Sequence, residues 1–267
     1  MGKMKFKFTI QPYQTEAVDS VVQVFAGQPR SGLALYRRDV PIFKNRARSG
    51  AGTVTSDNGL HRSDVLGQQS MFDDASGDDL FTGYGNGAVR LDGNQLLANI
   101  NRIQRENNIK QDNTLITGGL GACSLDVEME TGTGKTYVYI KTMFELNKHY
   151  GWTKFMVVVP SIAIREGVMK NFETTADHFM DTYGKKIRAF IYNSQNLTEV
   201  DEFSKSADIY CMIINMQAFN SSFNEAKSGE GRGGNQYARI IFSKRDDFGS
   251  RRPIDVIAAN HPIIILD

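Results

Sequence analysis

From residue 125 onward, short apolar runs rich in β-branched residues alternate with longer stretches whose apolar positions recur every three or four residues. The runs are SLDVEM, KFMVVVP, IRAFIY, DIYCMIIN and PIIILD. Between them lie one helical stretch running through Lys148 and another from Ser161 to about Tyr183. Short apolar runs bounded by polar segments read as buried strands, and their alternation with helical patterns predicts βαβ units. The expected fold class is therefore α/β, with a parallel sheet and helices on both faces. Upstream, Ala17, Val18, Val21, Val22 and Phe25 share one face of an N-terminal helix. Leu96, Leu97, Ile100 and Ile103 share one face of another, ending near Asn107.

Composition interrupts this pattern twice. Residues 27–121 hold 14 of the 25 glycines, with a basic run (Arg30, Arg37, Arg38, Lys44, Arg46, Arg48) followed by an acidic one (Asp64, Asp73, Asp74, Asp78, Asp79). That stretch reads as an irregular insertion, and residues 221–252 read as a second, both inside a single lobe that spans 1–267. With 31 Lys and Arg against 30 Asp and Glu, the net charge of +1 gives no global attraction to nucleic acid or membrane. Any basic binding surface must be local. Cys123 and Cys211 sit in apolar or strand-like surroundings and read as buried thiols of a reducing compartment. The opening MGKMKFKFTI lacks the apolar core of a signal peptide, and no apolar run approaches the ~20 residues needed to span a bilayer. A cytoplasmic protein is expected. His61, His149, His178 and His261 show no metal-ligand spacing.

Candidate chemistry concentrates in Met129-Glu130-Thr131-Gly132-Thr133-Gly134-Lys135-Thr136, between an apolar run and a helix carrying Val138, Ile140, Phe144 and Leu146. Its GKT ending is that of a Walker A loop, although Met129 stands where that pattern has its first glycine. Glycines let backbone N–H groups turn inward around phosphate oxygens, and the helix N-terminus adds its dipole. Lys135 can reach the β- and γ-phosphates of ATP, and the Thr136 hydroxyl can ligate Mg²⁺. Lys154, at a strand start, lies outside this chemistry, and its replacement by Ala is expected to leave nucleotide affinity nearly intact. The run Ile263-Ile264-Ile265-Leu266-Asp267 ends in a carboxylate, which at the carboxyl end of a neighbouring strand can hold Mg²⁺ through water. Each feature also has a plainer counterpart: a Gly-rich turn, or a strand that ends in Asp at a turn.

METGTGKT, TKFMVVVPSIAIREGV, IINMQAFN and RPIDVIAANHPIIILD together resemble the motor subunit of type III restriction endonucleases, within the superfamily-two DEAD/DEAH-like helicases. The resemblance runs over nearly the whole chain, is strongest across 125–167 and at the two ends, and is weak across both insertions. It implies a RecA-like P-loop lobe that ends here at the Walker B strand. It also implies an ATP-dependent translocase on duplex DNA, partnered by a methyltransferase (modification) subunit. Lys135 and Asp267 become the implied catalytic residues. Thr131, Gly132, Thr133, Gly134, Lys135 and Thr136 become the phosphate cradle, Thr136 and Asp267 the metal pair, and Gln14 the adenine contact. Ser161, Arg165 and Gln217, with Asn215 and Phe219 nearby, correspond to nucleic-acid-facing motifs. In that family the last strand continues into Asp-Glu-Pro-Gln, whose Glu positions the attacking water. The 267 residues here end at the Asp, so they are expected to bind ATP without hydrolysing it efficiently. Two other classes stay open: a kinase or other P-loop ATPase not acting on nucleic acid, and a non-catalytic nucleotide- or DNA-binding module.

Overall fold

The computed structural model describes residues 8–30, 33–38, 82–118, 121–219 and 241–267. The helices that frame the site are α1 (Pro12–Val24), α2 (Gly93–Glu106), α3 (Lys135–Tyr150), α4 (Ile162–Tyr183), α5 (Thr198–Lys205) and α6 (Pro253–Ala259). The strands are β1 (Ala34–Arg37), β2 (Thr82–Gly85), β3 (Lys154–Val159), β4 (Arg188–Ile191), β5 (Tyr210–Asn215) and β6 (Ile263–Leu266). Helix boundaries follow local chemistry. Pro12 opens α1 at a position whose N–H has no helical partner to lose. Asp92 and Gln95 form a reciprocal capping box on α2. Gly151 and Gly184 close α3 and α4 in the left-handed conformation.

The main sheet is parallel throughout, in the order β4-β5-β3-β6. Central β3 is buried along its whole length, as expected of a strand covered on both faces. Its odd-numbered residues, Phe155, Val157 and Val159, join Cys211 and Ile213 in a core with Val18, Ile140, Phe144, Phe172 and Phe179 of α1, α3 and α4. Its even-numbered Met156 and Val158 join Met212 and Ile214 in a second core with Val200, Phe203, Val256 and Ile257 of α5 and α6. The strand period of two thus sorts side chains between two helical layers. The α/β class and the parallel sheet expected from the sequence are what is observed.

One element differs. SLDVEM is not a strand: residues 121–130 run without a ladder, and Val127 is exposed. A strand exists only where its backbone groups find a partner, and among the described residues the sheet on this side stops at β6. Within 27–121, the described residues include the antiparallel β1–β2 pair, with Ala34 opposite Gly85, and helix α2, whose Leu96 is buried. Residues 31–32, 39–81 and 119–120 of the first insertion and 221–240 of the second lie outside the described residues.

The segment after β2 is locked by side chains rather than by a ladder. Buried Asn86 accepts from the N–H groups of Thr153 and Lys154 at 2.8 and 2.9 Å, and donates to the carbonyls of Lys154 and His261 at 2.7 and 3.1 Å. Gln28 donates to Ala88 O and accepts from Arg90 N, and the Trp152 indole N–H donates to Gly87 O. Lys154 itself is wholly buried, contrary to an ordinary strand-start lysine. Its ammonium donates to the Ser206 carbonyl and lies 5.3 and 5.1 Å from the ring centroids of Phe203 and Tyr210.

Two predictions follow from these contacts. Asn86→Ala removes the side-chain partner of four backbone groups, three of them buried, and is expected to lower unfolding free energy by about 3 kcal/mol in urea melts. Asn86→Asp, which keeps both acceptor bonds but turns a carboxylate toward two carbonyls, should destabilise as well. For Lys154, burial pushes the ammonium pKa down to about 8, against the pull of Asp208. Between that value and 10.5 the unfolded chain binds the proton that the folded chain has released, so this group makes stability rise with pH across the window. Lys154→Met should therefore show a smaller rise than the parent chain between pH 8 and 10.5, read from paired denaturant melts.

Candidate functional site

Thr131 to Gly134 form a turn whose shape depends on glycine at two places. Gly132 and Gly134 have φ of +83° and +89°, where a side chain is strained. A Cβ on Gly134 would also meet the Gln14 Nε2 at 2.7 Å. Within the turn, Thr133 folds back on Glu130, donating from both Oγ1 and N to its carbonyl, at 2.6 and 3.4 Å. The Thr133 carbonyl is held from outside by α1: Gln14 Nε2 donates to it at 2.9 Å and the Tyr13 hydroxyl at 3.2 Å. Lys141 donates to the Thr15 hydroxyl at 3.1 Å, a second tie between α1 and α3.

Helix α3 starts directly from Gly134 with no side-chain cap. Its first-turn N–H groups therefore face outward with their dipole uncompensated. Lys135 is exposed at the first helical position and takes part in no ion pair among the described residues. Thr136, half-buried, follows it. Acidic residues are absent from this first turn. The result is a concentrated donor set and a point charge, with no ion pair among the described residues to neutralise them.

Asp267 enters through the sheet. Its N–H donates to Val158 O at 3.1 Å, extending the β3–β6 ladder by one residue. Its carboxylate Oδ2 accepts from the Tyr139 hydroxyl at 3.1 Å. Burial, helped by the Asp267 carboxylate, pushes the Tyr139 pKa up, so the hydroxyl keeps its proton and acts as donor. Tyr139 lies four residues after Lys135, on the same helix face.

Of the sequence candidates, the fold brings Gln14, Thr133, Gly134, Lys135 and Thr136 together, and Tyr139 ties Asp267 to the same helix. Ser161 caps α4, accepting from Ile164 N at 3.3 Å. Arg165, one turn along, is engaged by Glu166 at 2.9 Å. Gln217 is exposed just past β5, its N–H on Asn215 Oδ1. Because Val159 pairs with Asn215 and Val158 with Leu266, the segments carrying Ser161, Gln217 and Asp267 all leave the carboxyl edge of the sheet. Tyr13 and Tyr139 were not among the candidates. Tyr13 adjoins Gln14 and Tyr139 follows Lys135 at helical spacing, which is the signal that marks them. Tyr137 makes a separate contact, its hydroxyl 3.0 Å from His178 Nε2, with burial pushing that imidazole's pKa down. Among the described residues no group of three or more His, Cys, Asp and Glu could enclose a metal.

A family profile described as "Type III restriction enzyme, res subunit" matches residues 96–247, which carry the glycine turn, β3 to β5 and the three edge candidates Ser161, Arg165 and Gln217. Gln14 and Asp267 lie outside that interval. The Res subunit of the type III restriction-modification enzyme EcoP15I from Escherichia coli is 31% identical over 202 residues, which make up 68% of this chain. The StyLTI Res subunit of Salmonella typhimurium is 52% identical over 169 residues, 54% of this chain. The EcoPI Res subunit of Escherichia phage P1 is 39% identical over 114 residues, 41% of this chain. The matches span 19%, 15% and 11% of those relatives' own lengths. With a parallel α/β lobe, a glycine turn on an uncapped helix and a family match over most of the chain, the protein belongs to the type III restriction enzyme Res subunit family.

Proposed function

We propose that this chain is the ATP-binding lobe of a DNA translocase, coupling ATP hydrolysis in the intact restriction enzyme to movement on duplex DNA. The observation that carries the reading is the uncapped N-terminus of α3, entered through two positive-φ glycines and bearing Lys135 at its first position. A phosphate chain fits this donor set. The glycine turn leaves open space around Gly132, where a Cβ would touch nothing within 4 Å. Outward N–H groups and the helix dipole favour an anion, and Lys135 adds the point charge that β- and γ-oxygens require. Mg²⁺ fits too: it keeps several waters and takes one or two protein oxygens beside phosphate, which the Thr136 hydroxyl and the Asp267 carboxylate can supply. When bound, Mg-ATP supplies the phosphoanhydride whose cleavage drives the motor.

The chain's own residues then have separable tasks. The 131–136 backbone binds and orients the phosphates, and Lys135 concentrates charge where it develops during phosphoryl transfer. Gln14 spends one amide N–H on Thr133 O. Its second N–H and its Oε1 remain to pair with the N7 and N6 edge of adenine. Base recognition and loop shape thereby share one side chain. At the sheet's carboxyl edge, Ser161, Arg165 and Gln217 offer contacts to the DNA backbone without reading bases. The relatives are restriction-modification enzymes, which supports a modification subunit as partner and the cytoplasm as compartment. No helix among the described residues is long and apolar enough to cross a membrane.

Lys135→Ala is expected to weaken Mg-ATP binding about 10- to 100-fold in titration calorimetry, the loss of a charge-assisted contact. Lys148→Ala, at an exposed position in the last turn of the same helix, should leave affinity within about twofold. Equal affinities for the Lys135 variant and the parent would refute the phosphate-loop assignment.

Arg165→Ala should weaken duplex DNA binding equally across sequences and lower the slope of log K against log salt by about 0.9, one phosphate contact. The surface pair with Glu166 is worth about 0 to 1 kcal/mol and does not hold the guanidinium back from a phosphate. An unchanged slope in salt-dependent anisotropy titrations would leave Arg165 a partner of Glu166 alone.

A further inference from the structure

Two groups assigned above to the metal, Thr136 and Asp267, come from different parts of the chain, one opening α3 and the other ending β6. A single side chain stands between them. The Tyr139 hydroxyl donates to Asp267 Oδ2 at 3.1 Å, and Thr136 lies three residues before Tyr139 on α3, one turn away on the same face. The phenol ring is half-buried and packs at the rim of the core under α3, so its oxygen is held by the body of the lobe rather than by a mobile loop.

We propose that Tyr139 is a positioning residue of the Mg²⁺ site, presenting Thr136 and Asp267 to the metal in one fixed arrangement. The inference rests on the Mg-ATP reading above. The chemistry follows from counting protons and lone pairs. A hydroxyl that gives a lone pair to a cation must send its proton elsewhere. Thr136 can send it to the Tyr139 oxygen, which in turn sends its own proton to Asp267 Oδ2. That relay turns the Thr136 lone pairs away from Tyr139. It also occupies one carboxylate oxygen of Asp267, leaving Oδ1 for the metal or its water. Partners one layer behind the ligands commonly set ligand orientation, and their loss costs about 10- to 100-fold in metal affinity. No proton leaves the chain and no group changes charge in this arrangement.

The test is the ratio of two dissociation constants on the 267-residue chain, for ATP with EDTA and for ATP with saturating Mg²⁺. In Tyr139→Phe the EDTA constant should match the parent, because phosphate cradle and adenine contact are untouched. The advantage conferred by Mg²⁺ should fall about tenfold. Thermal unfolding of the variant checks that the ring still packs. In an Asp267→Asn background, adding Tyr139→Phe should change the ratio no further, the non-additivity of groups acting through one contact. A Tyr139→Phe ratio equal to the parent's overturns the proposal. A parent chain that binds neither form of ATP, or binds both equally, overturns the Mg-ATP reading itself and the positioning role with it.

Discussion

The side-chain amide of Asn86 satisfies four backbone groups at the amino end of the sheet, and the positions of β3 and β6 depend on it. In a parallel sheet, the first residues of each strand lack ladder partners on one side, and burying them demands another source of hydrogen bonds. Asn86 supplies both donors and an acceptor at once, reaching Thr153 and Lys154 at the start of β3 and His261 ahead of β6. Fixing where both strands begin fixes their register, and register fixes where they end. Asp267 then falls beside Tyr139 on α3 because Val158 is paired with Leu266 and its carbonyl takes the next N–H.

At the opposite edge the governing constraint is what α3 lacks. Most helix N-termini find a Ser, Thr, Asp or Asn cap, as α2 and α4 do here with Asp92 and Ser161. Helix α3 has a left-handed glycine in that place and no acidic residue in its first turn. On the ATP-binding proposal, the stability forgone by leaving those N–H groups open is retained as affinity for phosphate. What keeps the open turn from collapsing is α1, through Gln14 and Tyr13 on the Thr133 carbonyl. The tight fit of the Gln14 amide against Gly134 explains why that glycine is needed for space as well as for φ.

Much of this was legible in the sequence because it rests on local periodicity. KFMVVV, YCMIIN and the helices over residues 12–24, 93–106 and 162–183 are where the apolar spacing puts them. The turn was legible because glycine and Lys-Thr spacing encode backbone shape directly. SLDVEM failed because a strand needs a neighbour, and pattern alone cannot say whether one is present. Lys154 failed for a related reason: a lysine heading a strand is ordinarily solvated, and only the packing of Phe203 and Tyr210 with the Ser206 carbonyl makes burial tolerable. The Asn86 clamp and the Tyr139–Asp267 contact join residues 67 to 175 and 128 apart in the chain. No short-range signal carries such distances.

The distribution of charge adds a last step. With 31 basic and 30 acidic residues the chain has almost no field at long range. Its cations differ in how they are held. Arg38, Lys205 and Arg251 converge on Asp201, which their charges hold below the usual carboxylate range despite its partial burial. Arg165 and Arg252 each face an adjacent carboxylate. Lys135 alone among these sits on a helix N-terminus without an acidic partner. On the ATP-binding proposal, a cation on an uncapped helix N-terminus concentrates the attraction for an anion at the glycine turn, whatever the net charge of the chain. On the proposed translocase reading, Arg165 at the sheet's carboxyl edge exchanges Glu166 for a phosphate, and a contact made by exchange with a surface pair worth about 0 to 1 kcal/mol is weak and reversible.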